Sequence, residues 1–144
     1  MKKVFILTAI LFSSITALFA QSSDAVKGTW INDANDVKVE IYQHGNSYAG
    51  KITWLKNMYE ADGKTLRKDI NNNDASLKSR TILNLNILTG FSYHDGEWTG
   101  GSLYDPKSGK TYKSKMKLCN GNLEIRGYLG SPMFGKTTTW TKAS

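Results

Sequence analysis

The chain has 144 residues, with 19 lysine and arginine side chains against 12 aspartate and glutamate, one cysteine and two prolines. A single cysteine excludes an internal disulfide framework, and lysines dispersed among carboxylates, with no basic helix, argue against nucleic-acid binding. The length is that of one domain able to bury its own core.

The first element is a leader. Lys2 and Lys3 precede an apolar run from Val4 to Phe12, and the small residues Ala17 and Ala20 stand just before polar Gln21, the layout of a secretory signal. A retained membrane span would need about 20 apolar residues, and Ser13, Ser14 and Thr16 interrupt this run early. Cleavage near Ala20 is expected. Residues 21–144 would then form a periplasmic or secreted protein with 17 basic and 12 acidic side chains, a net charge of +5. No cysteine follows the apolar run to carry a lipid anchor, and no transmembrane segment is expected in the mature chain.

From Gly28 onward the sequence alternates with a period of two, which marks strands that bury one face and wet the other. Val37, Val39 and Ile41 alternate with Lys38 and Glu40. Tyr112, Met116 and Leu118 alternate with Lys113, Lys115 and Lys117, and Leu123, Ile125 and Leu129 with Glu124 and Arg126. Tight-turn signals separate the runs at His44-Gly45-Asn46, Asp95-Gly96, Asp105-Pro106-Lys107-Ser108-Gly109 and Asn120-Gly121. Strands are predicted near 28–33, 36–43, 47–55, 86–94, 97–104, 110–118, 122–129 and 134–142. Eight strands joined mainly by hairpins make an all-β, single up-and-down antiparallel barrel, in which the last strand pairs with the first and removes both edges.

The exception is the polar stretch from Asn57 to Ser79, too long to be a mere connection. Asp74 is placed to cap a short helical turn through Leu77. Asp69-Ile70-Asn71-Asn72-Asn73-Asp74 begins like a calcium loop, but its sixth position is Asp74 instead of glycine and its twelfth is Arg80 instead of glutamate; the expectation is a turn-rich surface loop and no metal.

Several strings together resemble the bacterial family catalogued as domain of unknown function 2147. The most specific runs from Trp98 through Thr99-Gly100-Gly101-Ser102-Leu103-Tyr104-Asp105-Pro106-Lys107-Ser108-Gly109-Lys110-Thr111 to Tyr112, followed by Met116 and Leu118. Gly28-Thr29-Trp30, Asn73-Asp74 with Leu77 and Arg80, Ile125-Arg126-Gly127, Phe134-Gly135-Lys136 and Trp140 support it. The chain has Tyr128 and Asn84 where many members of the family look to carry cysteine and glycine. The resemblance implies a small exported barrel of the lipocalin or calycin kind and lends no activity, since fold alone assigns none.

Trp30 and Arg126 resemble the lipocalin pair in which an early tryptophan closes the barrel floor and a late arginine lies across it, so their expected role is structural closure. Trp54, Tyr104, Asp105 and Tyr112 are the candidate ligand-binding residues: aromatics can line a pocket or simply fill a core, and an eight-stranded barrel has room for either. Asp105 by itself reads as a turn residue, His44 and His94 have no converging partners, and Lys113, Lys115 and Lys117 read as a solvated outer face. No nucleophile motif is present; no catalytic residue, cofactor or metal is expected.

The leading functional reading is a non-enzymatic exported module that holds a small apolar or amphipathic molecule in the barrel mouth, with residues 57–79 as lid, and with Trp54, Tyr104 and Tyr112 at the rim of the cavity beneath. The alternatives are an envelope structural or interaction protein with a filled barrel, and a hydrolase-like enzyme using Tyr104, Asp105 and Tyr112. Ligand identity and oligomeric state are not legible.

Overall fold

The computed structural model describes residues 21–143, so the leader expected at 1–20 lies outside the described residues. Eight antiparallel strands close into a barrel in sequence order: β1 (Gly28–Asn32), β2 (Val37–His44), β3 (Ser47–Leu55), β4 (Asn86–His94), β5 (Glu97–Asp105), β6 (Lys110–Cys119), β7 (Asn122–Tyr128) and β8 (Gly135–Lys142). Every strand lies within a residue or so of the span its alternation predicts. β8 closes on β1 through Trp30 opposite Lys142, Ile31 opposite Thr141 and Asn32 opposite Trp140.

The hairpins form where turn chemistry demands them. Asp95-Gly96 and Asn120-Gly121 have positive φ at both central residues, the type I′ requirement that selects Asp-Gly and Asn-Gly. Those two turns and the one at Gly45 lie at one end of the barrel, and the longer connections lie at the other. Among the described residues there are also three short 3₁₀ turns, at Ser23–Val26, Ala75–Leu77 and Pro132–Phe134. The middle one is capped by Asp74, whose side chain accepts from the Ser76 N–H, as its position predicts. The other two carry no periodicity that would announce them.

The Ser23–Val26 turn plugs the turn-bearing end. Val26 is fully buried among Trp30, Val39, Ile41, Tyr48, Phe91, Trp98, Met116 and Leu123. The indole N–H groups of Trp30 and Trp98 donate to the carbonyls of Val26 at 2.8 Å and Ser23 at 3.0 Å, and the Tyr48 hydroxyl donates to Asp24 Oδ1. Each polar edge buried by these aromatics is therefore satisfied by the plug itself. The solid core sits in this closed half.

Cys119 ends β6 beside the Asn120-Gly121 turn, exposed and unpaired. Its thiol contributes no packing, so Cys119→Ser should change unfolding free energy by less than about 1 kcal/mol. Denaturant unfolding under reducing conditions checks this, and a larger loss would place the thiol in the core.

Candidate functional site

Above the solid half the barrel is hollow. A cavity of about 1010 Å³ opens at the end opposite the plug. Its wall is apolar, made by Val37, Ile52, Leu55, Ile87, Leu103, Tyr112, Ile125 and Trp140, and its rim is polar, with Asn32, Asp36, Arg67, Lys68, Asp105, Lys107 and Lys136. The volume suits a small organic ligand, and an apolar wall with a few polar groups at the entrance suits an apolar or amphipathic one. Leu103 and Tyr112 pack over Gly127, where a Cβ would lie 3.1 Å from Leu103 Cδ2 and 3.5 Å from Tyr112 Cβ.

The connection from β3 to β4 is folded over the mouth. Tyr59 pairs with Leu66 and Lys68 with Thr81 in isolated antiparallel bridges, so the stretch read as a polar loop is an ordered flap. Asn71 Nδ2 donates to the carbonyls of Pro106 and Lys107, and Asn73 Nδ2 to that of Gly109, all in the β5–β6 turn. Gly109 has φ of +72°, and a Cβ there would run into the Asn71 carbonyl, which explains glycine at that position.

The anchor of the flap is Asp69, completely buried. Its Oδ1 accepts from the Tyr104 hydroxyl at 2.6 Å, and its Oδ2 from Asn72 Nδ2 and Arg80 Nε, each at 2.9 Å. The Arg80 guanidinium also lies 5.5 Å from the Tyr104 ring centre. Burial pushes the Asp69 carboxyl up, but the hydrogen bonds from Tyr104, Asn72 and Arg80, together with the Arg80 charge, outweigh it and hold the group below the usual carboxylate range. Burial, then the bond and charge of Asp69, raise the Tyr104 phenol above its ordinary value. The sequence shows Asp69 only as the start of a failed calcium motif; the aspartate with Asn72 three residues on and Arg80 eleven on was the available signal.

The sequence candidates separate. Tyr112 and Asp105 line the cavity, and Tyr104 reaches it from the rim while bonding Asp69. Asp105 holds its own turn, accepting from the Lys107 N–H and the Ser108 hydroxyl. In the β5–β6 ladder Leu103 stands opposite Tyr112, and Tyr104 opposite Thr111. Tyr104 and Tyr112 thus belong to opposite faces of the wall, and the trio does not converge as a hydrolase would need.

Trp54 is not at the rim. Lys38 pairs with Trp54 but Val39 with Ile52, so Thr53 is an extra residue in β3. Such a bulge reverses the alternation beyond it, giving Leu55 the inward place and leaving Trp54 outside, with the Lys38 ammonium 5.4 Å from its ring.

Trp30 lies on the barrel floor, 2% exposed, but the cation over it belongs to Lys142, 4.7 Å from the ring centre. Arg126 is on the outer face near the open end: Nε donates to the Pro132 carbonyl at 2.6 Å, and the other two guanidinium nitrogens to Thr137 Oγ1 and the Met133 carbonyl. It fastens the β7–β8 connection instead of closing the floor, because Leu123 and Ile125 take the inward phase of β7. Among the described residues no group of three or more histidine, cysteine or acidic side chains is placed to hold a metal. No helix among them is long and apolar enough to cross a membrane.

A family described as "Uncharacterized protein conserved in bacteria", domain of unknown function 2147, matches residues 28–142. Among solved structures, protein HP1028 from Helicobacter pylori, described as belonging to the lipocalin family, is similar with a TM-score of 0.70 and 22% identity, over 83% of each chain. A search of curated proteins finds no match.

Proposed function

The chain belongs to bacterial family 2147 of unknown function, and from that membership and its lipocalin-like barrel we propose that it is an exported, non-enzymatic module that carries one small apolar or amphipathic molecule in the open half of the barrel. The observation that carries this reading is the hollow itself: about 1010 Å³ of largely apolar space in a protein whose other half is packed solid. Leaving such a space unfilled forgoes packing that larger side chains would supply, a cost that a bound ligand offsets. In this reading Tyr112 and Leu103 touch the apolar part of the ligand, Asp105 shapes the entrance, and Tyr104 holds the flap over it through Asp69. A filled barrel acting only as an envelope component has no use for the hollow.

Native mass spectrometry of protein purified from its own host tests the reading. A species heavier than the processed chain by one small molecule is expected, and it should be released by organic solvent. Recovery of the bare chain alone, with no small molecule in a solvent extract of the same material, would contradict it. The same spectrum reads the N-terminus: the export part of the proposal expects a chain beginning at or near Gln21.

A further inference from the structure

Among the described residues the exposed large apolar side chains are Tyr59, Ile70, Leu77, Leu129, Met133 and Phe134. All six lie on the connections of the open end, and none at the plugged end. Met133 and Phe134 are 79% and 78% exposed, Ile70 65% and Leu129 59%; Ile70, Leu129 and Phe134 also border the cavity. The tip of the β7–β8 connection is held in place. Ser131 caps its 3₁₀ turn by accepting from the Met133 N–H, and Arg126 grips the carbonyls of Pro132 and Met133. The backbone is held while the two side chains that it presents stand mostly in solvent.

Apolar side chains are rarely gathered in this way on a surface that faces only water. Gln21, the first described residue, lies at the other end, where its carbonyl accepts from the Tyr93 hydroxyl. Cations flank the tips: Lys68 stands two residues before Ile70 and Lys136 two after Phe134, both exposed. Over the connections of the open end and the adjoining strand ends, residues 32–37, 55–86, 105–110 and 128–136, nine lysine and arginine side chains stand against seven carboxylates, an excess of two positive charges.

We propose that the open end docks on an anionic lipid surface, with Met133, Phe134, Leu129 and Ile70 entering the interfacial zone and Lys68 and Lys136 meeting the headgroups. Apolar tips with basic side chains beside them and a net positive charge are what an interfacial anchor requires. Because the tips surround the cavity mouth, docking sets the apolar wall against the acyl region and lets a ligand pass without crossing water. The surface stands on its own observations and does not depend on the cavity being occupied.

Flotation with phosphatidylethanolamine–phosphatidylglycerol vesicles, compared with phosphatidylcholine vesicles, tests it. The protein should float with the anionic vesicles and stay largely free of the neutral ones. The double variant Met133→Ser, Phe134→Ser should bind at least about tenfold more weakly. Its near-ultraviolet circular dichroism should be unchanged, since both side chains are exposed. The wall variant Lys27→Gln, Lys117→Gln should retain binding within about twofold, because those lysines lie at the plugged end, away from the mouth. Three results would overturn the proposal: no flotation with anionic vesicles, binding lost in the wall variant but kept in the tip variant, or a dimer that only the tip variant dissociates, which would make a second copy the occupant.

Discussion

Replacing Asp69 with alanine is expected to release the flap while leaving the barrel closed. The substitution removes a buried carboxylate and orphans three donors at once, the Tyr104 hydroxyl, Asn72 Nδ2 and Arg80 Nε. Hydrogen bonds to a charged group contribute about 1.5–3 kcal/mol each, but Arg80 is 36% exposed and recovers water, so the loss should be about 3 kcal/mol in total. Hydrogen exchange locates it: amides of Asp69, Asn72, Arg80 and Ile82, which bond within the flap, should lose protection, while those of β6 and β7 should not. A uniform loss over the barrel would show that the flap is not a separate unit.

The same cluster fixes the pH window of closure. The Asp69 carboxyl sits below its usual range in the fold, so its contribution is fully present above the unfolded value of about 3.9 and fades as pH falls through the lower folded value. The Tyr104 phenol is raised, so its contribution is fully present below about pH 10 and is lost as pH rises through the folded value. Flap protection in the wild type should therefore be flat across neutral pH and decline at both extremes. A decline near pH 6–7 would contradict this.

Trp98→Ala should be the most damaging single truncation in the closed half. The side chain is fully buried, its ring centre lies 4.9 Å from that of Tyr93, and its indole N–H secures the N-terminal plug through Ser23. Truncating a buried tryptophan costs about 3–5 kcal/mol, which in a domain of this size lowers the melting temperature by roughly 10–20 °C. Trp98→Phe keeps most of the ring and loses chiefly the bond to Ser23, so it should cost about 1–2 kcal/mol. Calorimetry distinguishes the two, and a loss under about 1.5 kcal/mol for alanine would mean that the plugged end is outside the cooperative core.

The barrel was legible because strands announce themselves locally. Val37, Val39 and Ile41 mark an inner face, and Asn120-Gly121 can scarcely be anything but a hairpin. Trp54 escaped because the inserted Thr53 reverses the phase of β3 and nothing in the sequence marks a bulge there. Arg126 has its outward phase written in the alternation of Leu123 and Ile125, and only likeness to a pair in other barrels puts it on the floor; its partners, the carbonyls of Pro132 and Met133, depend on a turn without periodicity. Asp69 looked like one more polar loop residue, since burial of a loop carboxylate depends on Tyr104 of β5, far along the chain. Local chemistry therefore gave strands, turns and the Asp74 cap, whereas the flap anchor and the hollow arise from contacts between distant segments.

If the open half of the barrel holds a ligand, titration with a fluorescent fatty-acid analogue, on the wild type and on Leu103→Trp, will show it. Leu103 is half-buried on the cavity wall, beside Gly127 and opposite Tyr112, so an indole there projects into empty space and fills part of it without the overpacking cost of a solid core. Saturable one-to-one binding to the wild type is expected, weakened at least about tenfold in a variant that melts at nearly the same temperature. Binding that fails to saturate, or that the indole leaves unchanged, would contradict the account and place any ligand outside the barrel.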